Sequence, residues 1–205
     1  MKNNIDISVN TQSSIKISIN GIVIYFDPYK IDDVRKDADY IFITHPHYDH
    51  FDINSINNVI KDSSIIIGPS CINDIDIDYK VKPLDKFSIS NISVSCRYAY
   101  NINKEYHKKE YNWVGYIIEV FGVSFYIVGD SDVLEENCDI DVDYCFIPIG
   151  GVYTMDYIEA SNYINNIRPN YVIPTHYGSI VGDKNLGILF KDRLDDNIDC
   201  LINIY

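Results

Sequence analysis

Residues 40–50 read Tyr-Ile-Phe-Ile-Thr-His-Pro-His-Tyr-Asp-His, an apolar run that ends in three histidines and an aspartate. Residues two apart in an extended segment project to the same side, so His45 and His47 can bind one ion. If the chain then turns into a helix, Asp49 and His50 lie at a neighbouring position. Three imidazoles and a carboxylate suit zinc, which takes N, S and O ligands in a roughly tetrahedral array. The stretch therefore predicts ligands for two metal ions, because solvated turn residues explain so dense a cluster poorly.

The other two histidines and one more aspartate also lie where predicted strands end or in loops. Asp130 follows a predicted strand through a single glycine, and His176 comes directly after another strand. His107 lies in a loop-like stretch. A glycine before an acid lets the backbone approach a site closely, although a plain turn explains the Gly-Asp pair equally well. No histidine falls in a helix or in the middle of a strand, which indicates a single site at one edge of a sheet.

Alternation of polar and apolar residues predicts two hairpins. Residues 15–26 alternate on both sides of Asn20-Gly21, the strongest short hairpin signal, because both residues tolerate positive φ. A second hairpin spans 113–128 and turns near Phe121-Gly122. Further strands are predicted at 40–44, 64–67, 87–90, 92–98, 144–148, 171–174 and 200–204.

Apolar residues at helical spacing predict three helices. The first lies at 53–60, after the histidine cluster, and the second at 155–167, with Thr154 as its N-cap. The third covers 185–195. Meandering strands come first and later strands alternate with helices, which predicts an α/β (α+β) fold of two sheets packed face to face with helices outside. Since no linker or internal repeat is visible, residues 1–205 are predicted to form one domain.

The charge excludes several classes of partner. The 205 residues carry a formal net charge of −13, and no block of Lys or Arg forms a basic face. Nucleic acids and anionic membrane surfaces are therefore not expected as partners, because long-range repulsion opposes both. A small-molecule substrate remains, and it can be anionic because bound cations invert the local field. A homo-oligomer is compatible with this composition.

The five cysteines and the apolar segments indicate the compartment. An odd number of cysteines without a CxxC pair predicts neither disulfides nor a zinc knuckle, so we interpret them as small buried hydrophobes in a reducing environment. The N-terminus lacks the apolar core of a signal peptide, and no stretch approaches the 18 apolar residues of a membrane span. These features predict a cytoplasmic protein.

From Asp27-Pro28-Tyr29 to His176-Tyr177-Gly178 the chain resembles the metallo-β-lactamase superfamily. The order of parts is the same: a first hairpin, HxHxDH, a later His, a Gly-Asp and a final His after a strand. The segment 146–156, Phe-Ile-Pro-Ile-Gly-Gly-Val-Tyr-Thr-Met-Asp, resembles the branch of ascorbate-6-phosphate lactonase-like metallohydrolases. The resemblance implies a four-layer αβ/βα sandwich of two mixed β-sheets with helices on the outer faces.

The resemblance also implies a ligand set. The first metal would be held by His45, His47 and His107, the second by Asp49, His50 and His176, with Asp130 bridging the two. Asp27 resembles the acid that orients a metal-bound imidazole, although a strand-terminating Asp-Pro turn explains it equally well. His107 lies in the charged segment 103–110, where a mobile solvated loop is the alternative.

The function that the resemblance implies is hydrolysis at a dinuclear centre of two divalent metal ions, either Zn²⁺ or the substitutes Mn²⁺ and Fe²⁺. A hydroxide bridging the ions would attack a small-molecule ester, lactone or phosphodiester. Asp49 would bind metal and accept the proton from the water, and His176 is the other residue assigned to catalysis. Tyr48, Tyr153 and Tyr177 flank the ligand motifs as candidates to line the substrate pocket. A metal-binding or metabolite-sensing domain of the same fold without significant turnover is the alternative.

Overall fold

The computed structural model describes residues 3–202, and these fall into two compact units, 3–81 and 82–202. Each unit contains one β-sheet, and each is described by itself below. The prediction that residues 1–205 form one domain stays a prediction.

The first unit is a six-stranded mixed sheet with one helix, ordered along the sheet as along the chain. Strands β1 to β3 pair antiparallel, and β3 to β6 pair parallel. The Asn20-Gly21 hairpin is confirmed, with φ of +48° and +89° at its two turn residues. The elements are β1 (Ile5–Val9), β2 (Ile15–Ile19), β3 (Ile22–Phe26), β4 (Ala38–Phe42), α1 (Ile53–Val59), β5 (Ile60–Pro69) and β6 (Tyr79–Val81).

Both faces of this sheet are buried around β4, the strand that leads into the histidine cluster. On one face Ile41 packs with Tyr25 and with Ile56 of α1. On the other face Phe26 stacks on Phe42, with ring centroids 4.9 Å apart. Burial of each large apolar side chain contributes about 1.5–3 kcal/mol to stability. The end of β4 is therefore held rigidly, which positions the loop that follows it.

The second unit is a seven-stranded mixed sheet in the order β13-β12-β11-β10-β9-β8-β7. It has two α-helices and two short 3₁₀ helices, Lys109–Tyr111 and Glu135–Asn137. Strands β7 to β10 pair antiparallel, and β10 to β13 pair parallel. The hairpin that turns at Phe121-Gly122 is confirmed. The elements are β7 (Lys86–Ile89), β8 (Ile92–Tyr98), β9 (Val114–Val120), β10 (Val123–Ile127), β11 (Tyr144–Pro148), α2 (Tyr157–Ile167), β12 (Tyr171–Thr175), α3 (Leu186–Lys191) and β13 (Asp199–Cys200). Two mixed sheets with helices confirm the predicted fold class.

Several element boundaries differ from the sequence predictions. Helix α2 begins after Asp156, which accepts hydrogen bonds from two backbone N–H groups and forms a capping box with Glu159, so Thr154 is not the N-cap. Ile60 begins β5 rather than ending α1. Strands β1 and β6 were not predicted, and the last strand was predicted to 204, beyond the described residues. No helix among residues 3–202 is long and apolar enough to cross a membrane.

Candidate metal centre

The histidine cluster of the first unit forms a tight turn between β4 and α1. The backbone N–H groups of His50 and Phe51 both donate to the carbonyl of His47, and Asp52 then caps α1. This turn is the predicted one, in which the chain enters a helix directly after the ligands. His45 and His50 are almost completely buried.

Donor atoms within this cluster lie at distances that suit shared ions. His45 Nε2 lies 3.1 Å from His47 Nδ1, and two ligands of one tetrahedral zinc lie about 3.3 Å apart when each Zn–N bond is roughly 2.0–2.1 Å. The imidazole centroids of His45 and His50 are 4.0 Å apart, and Asp49 Oδ2 lies 3.8 Å from His50 Nε2. The cluster therefore places two pairs of potential metal-binding atoms side by side, one from His45 and His47 and one from Asp49 and His50.

Asp27, directly after β3, orients His50. Its Oδ1 accepts from the Thr44 backbone N–H at 2.7 Å, and its Oδ2 lies 2.6 Å from Thr44 Oγ1 and 2.7 Å from His50 Nδ1. Burial raises the pKa of the Asp27 carboxyl, while His50 and the hydrogen bonds from Thr44 work in the opposite direction. Asp27 has φ of +45°, an uncommon conformation that Asp tolerates better than most residues. With Nδ1 engaged, Nε2 of His50 is the nitrogen left to bind a metal.

Gln12 is a buried residue of this cluster that sequence reasoning missed. Its Nε2 donates to Asp49 Oδ2 at 3.4 Å, and its φ is +50°. Gln12 lies in the turn between β1 and β2, 37 residues from Asp49, and no motif marks it. Only the tertiary structure reveals the contact.

In the second unit, the carboxylate of Asp130 lies between two imidazoles. Asp130 Oδ2 is 3.1 Å from His176 Nε2 and 3.5 Å from His107 Nε2. All three side chains are almost completely buried. The carboxylate of Asp130 thus contacts the two other predicted ligands of this unit. A turn that only ended the strand would not require these contacts.

The segment that carries His107 is packed and hydrogen-bonded rather than solvated. His107 Nδ1 lies 2.9 Å from Asn101 Oδ1, and its ring contacts Trp113 edge-on at 5.4 Å. Asn101 in turn donates from its side chain to Asp132, which also binds the Ile102 N–H and the Lys104 ammonium group. Asn101 and Asp132 were not predicted to belong to the site.

Asn101→Ala should weaken metal binding by about 10–100-fold, the usual loss when the partner of a metal-binding histidine is removed. Without the carbonyl oxygen of Asn101, the His107 ring loses its preferred tautomer and orientation. Competition with a fluorescent chelator measures the affinity. Asn91→Ala, an exposed turn substitution, is the control and should bind metal as the wild type does. Equal affinity in all three proteins would show that His107 does not depend on Asn101.

Gly150, after β11, leaves room for the backbone of His176. A methyl group at Gly150 would overlap the His176 carbonyl oxygen and come within 2.7 Å of Val181 Cγ1. His176 itself has φ of +54°. The close approach therefore fixes an uncommon backbone conformation at a predicted ligand.

Gly150→Ala should lower the free energy of unfolding by about 1–3 kcal/mol, the usual cost of overpacking, and should lower metal affinity by displacing His176. Gly122→Ala is the control, because its added methyl group meets nothing within 4 Å and only its φ of +73° is strained. Urea unfolding and metal titration of both variants check this. A Gly150→Ala protein that is more stable than the Gly122→Ala protein would contradict it.

The three tyrosines predicted to line a pocket have different surroundings. Tyr48 is 64% exposed and its ring contacts Tyr29. Tyr153 is half-buried and packs edge-on against Tyr106, the residue directly before His107. Tyr177 is buried against Gly187 of α3, and its place in a substrate pocket stays a prediction.

Burial makes the thiols of four of the cysteines, Cys96, Cys138, Cys145 and Cys200, poor nucleophiles. Burial raises the pKa of Cys96 to about 12 and that of Cys200 to about 11, so both thiols stay protonated at neutral pH. Cys145 is also buried, and Cys138 is half-buried. Cys71 is exposed in the turn after β5, and Cys200 is half-buried like Cys138, so the prediction of buried cysteines is confirmed only for Cys96 and Cys145.

All seven predicted ligands are among the described residues that could hold a metal ion. Their donors are imidazole nitrogens and carboxylate oxygens, the set that zinc and related divalent ions accept. The residues present therefore fit the group that the sequence pattern predicts.

Known proteins resemble this chain over most of its length. The profile of the beta-lactamase superfamily domain matches residues 6–176. A UPF0173 metal-dependent hydrolase of Staphylococcus saprophyticus is 29% identical over 195 residues, which cover 83% of this chain and 85% of the relative. A UPF0173 protein of Pyrococcus abyssi is 28% identical over 196 residues, which cover 87% of this chain and 85% of the relative.

Two solved structures share the fold. A candidate metal-dependent hydrolase from Parabacteroides distasonis matches with a TM-score of 0.82 at 28% identity, covering 98% of this chain and 93% of the other. Igni18, a metallo hydrolase from Ignicoccus hospitalis, matches with a TM-score of 0.77 at 18% identity, covering 97% and 95% of the two chains.

Proposed function

Because the chain belongs to the metallo-β-lactamase superfamily, we propose that it is a metal-dependent hydrolase with a dinuclear zinc centre. Its substrate is a small molecule with an ester, lactone or phosphodiester bond. The relatives named metal-dependent hydrolases support the reaction class. The lactone option rests on the resemblance of residues 146–156 to the ascorbate-6-phosphate lactonase-like branch.

The position of Asp130 carries this proposal. Its Oδ2 contacts both His107 and His176, and these two residues belong to different metals in the predicted ligand set. A carboxylate that bridges two metal ions must lie close to a ligand of each ion. Burial of a charge is costly unless the charge is paired. Packing alone therefore does not explain why a carboxylate is buried between two imidazoles.

In the proposal His45, His47 and His107 hold one ion, Asp49, His50 and His176 hold the other, and Asp130 bridges.

The side chains of the protein have separate tasks. Two divalent ions, when bound, lower the pKa of a water toward roughly 7 and stabilise the negative charge that develops on the substrate. Asp49 accepts the proton of that water, and Gln12 holds the Asp49 carboxylate by its Oδ2. Asp27 and Asn101 keep the imidazoles of His50 and His107 in the ligating orientation. None of the cysteines is needed as a nucleophile.

The centre should hold about two Zn²⁺ per chain when the protein is purified without chelator, as a two-ion mechanism requires. Elemental analysis measures the content, and Mn²⁺ or Fe²⁺ should substitute after reconstitution. A metal-saturated sample with no more than one ion per chain would rule out the dinuclear centre while leaving the fold unaffected.

Turnover separates the hydrolase from a sensor. The metal-loaded protein should hydrolyse at least one of three chromogenic or coupled substrates, a phosphodiester, a carboxylic ester and a lactone. Loss of this activity in a His45→Ala variant would tie it to the centre. A protein that holds two ions and turns over none of the three classes would favour the metabolite-sensing alternative.

The remaining expectations are also predictions. We expect a small-molecule substrate and neither nucleic acid nor membrane as partner, because the net charge is −13. A cytoplasmic location and a homo-oligomeric state stay predictions as well.

A further inference from the structure

A groove on the second unit carries charged and hydroxyl side chains that the proposed centre does not use. It crosses strands β7, β8 and β9, is also lined by residues 139–141, and has a volume of ≈ 540 Å³. Small-molecule sites usually measure roughly 300–1,000 Å³. None of the seven predicted metal ligands lines this groove.

The register of the sheet brings two cations together on this surface. Lys86 of β7 lies opposite Ser95 of β8. Arg97 follows two residues further along β8 and therefore points to the same face as Ser95. Diagonal neighbours of this kind in an antiparallel pair are about 7–8 Å apart. The ammonium group and the guanidinium group thus flank one hydroxyl.

No carboxylate of the described residues lies within ion-pair distance of either cation, although Asp139 and Asp141 line the same groove. Within residues 3–202 the side chains of Lys86, Ser95 and Arg97 make no ion pair and no hydrogen bond, and Arg97 Nε is buried without an acceptor. A shielded guanidinium nitrogen without an acceptor is uncommon, since most buried polar groups are paired. Arg97 as a whole is only half-buried, so an anionic group in the groove can form charge-assisted hydrogen bonds with its guanidinium group and with Lys86.

The groove becomes acidic and hydroxyl-lined away from Arg97. Ser88 and Ser93 lie opposite each other in the next row, and Glu119 lies opposite Ser93 on β9. Four residues of β8 separate Arg97 from the Glu119 row, about 13 Å at roughly 3.3 Å per residue. Carboxylates and hydroxyls accept hydrogen bonds from hydroxyl groups, but a carboxylate repels a second anion. A matching ligand is therefore anionic at one end only.

We propose that this groove is a second binding site, for a small molecule that carries a phosphate or carboxylate group on a hydroxyl-rich body. The anionic group binds between Lys86 and Arg97, and the hydroxyl groups extend past Ser93 toward Glu119. The proposal does not depend on hydrolysis at the metal centre, because the two sets of residues are separate.

Amide chemical shifts of the full chain test this proposal during titration with inorganic phosphate, glucose 6-phosphate, glucuronate and glucose. Glucose 6-phosphate should shift the amides of residues 86–97 saturably, phosphate should shift the same amides more weakly, and glucose should leave them unchanged. Glucuronate distinguishes a carboxylate from a phosphate as the preferred anion. Arg97→Gln should weaken binding at least about tenfold, because the anionic group loses a charge-assisted hydrogen bond and one of its two cations. Lys80→Gln, which removes an exposed cation from β6, is the matched control and should bind as the wild type does.

Phosphate groups can also bind at the metal centre, so the titration is repeated with His45→Ala. Groove binding should survive this substitution and be weakened only by Arg97→Gln. Shifts that vanish in His45→Ala and persist in Arg97→Gln would overturn the proposal. Absence of saturable shifts at 86–97 with both anionic sugars would overturn it too.

Discussion

Replacing Asp130 with Ala is expected to remove one metal ion and nearly all hydrolysis. The carboxylate contacts both His107 and His176 in the buried centre of the second unit. Without it, two imidazoles face each other with no negative charge between them, and two cations would repel each other without a bridge. The rate should fall by much more than about a hundredfold, since even the partner of a ligand contributes 10–100-fold.

Elemental analysis and turnover of the Asp130→Ala protein measure the two effects separately. The control is Asp192→Ala, the same change at an exposed position that ends α3, and it should keep both metals and full activity. Thermal unfolding in excess chelator shows whether the apo fold persists. An Asp130→Ala protein with two ions and wild-type turnover would remove this residue from the mechanism.

The ligand motifs could be predicted because they are local. HxHxDH directly follows an apolar strand, and the alternation of side chains along the strand fixes which residues face the same way. The Asn20-Gly21 hairpin was predictable for the same reason, since two adjacent residues determine the turn. These features depend on neighbours in the sequence rather than on the tertiary structure.

Apart from Asp27, the residues that support the ligands could not be predicted in this way. Gln12 reaches Asp49 from 37 positions away, and Asp132 reaches Asn101 from 31 positions away. Asn, Asp and Gln are common on surfaces, so their type alone carries no signal. The charged segment around His107 resembled a solvated loop because Asn101, which binds the His107 ring, is itself held by the distant Asp132.

Replacing Asp27 with Ala should have the largest effect on stability. The carboxylate accepts from the Thr44 N–H and the Thr44 hydroxyl and contacts His50 Nδ1, and all of these groups are buried. Each unsatisfied donor costs about 1–3 kcal/mol. The φ of +45° adds strain for Ala of roughly 1–2 kcal/mol. Because such costs are not additive, we expect the free energy of unfolding, measured in chelator, to fall by about 3–5 kcal/mol.

Asp27→Asn separates the fold from the metal. Asn tolerates the same φ and its carbonyl oxygen still accepts from the Thr44 N–H, so the apo protein should lose about 1 kcal/mol or less. Its NH₂ group then occupies the place of Oδ2 and donates where the carboxylate accepted. His50 Nδ1 must therefore become the acceptor, which moves the ring proton to Nε2 and blocks the ligating nitrogen.

Metal affinity in Asp27→Asn should accordingly fall by about 10–100-fold at nearly unchanged apo stability. Nitrogen-detected NMR of the His50 ring reads the tautomer directly, and chelator competition reads the affinity. Asp39→Asn, a half-buried change in β4 of the same sheet, is the control for loss of charge. If Asp27→Asn binds metal as tightly as Asp39→Asn, then Asp27 only ends β3, and the orientation of His50 must come from the packing of its ring against His45.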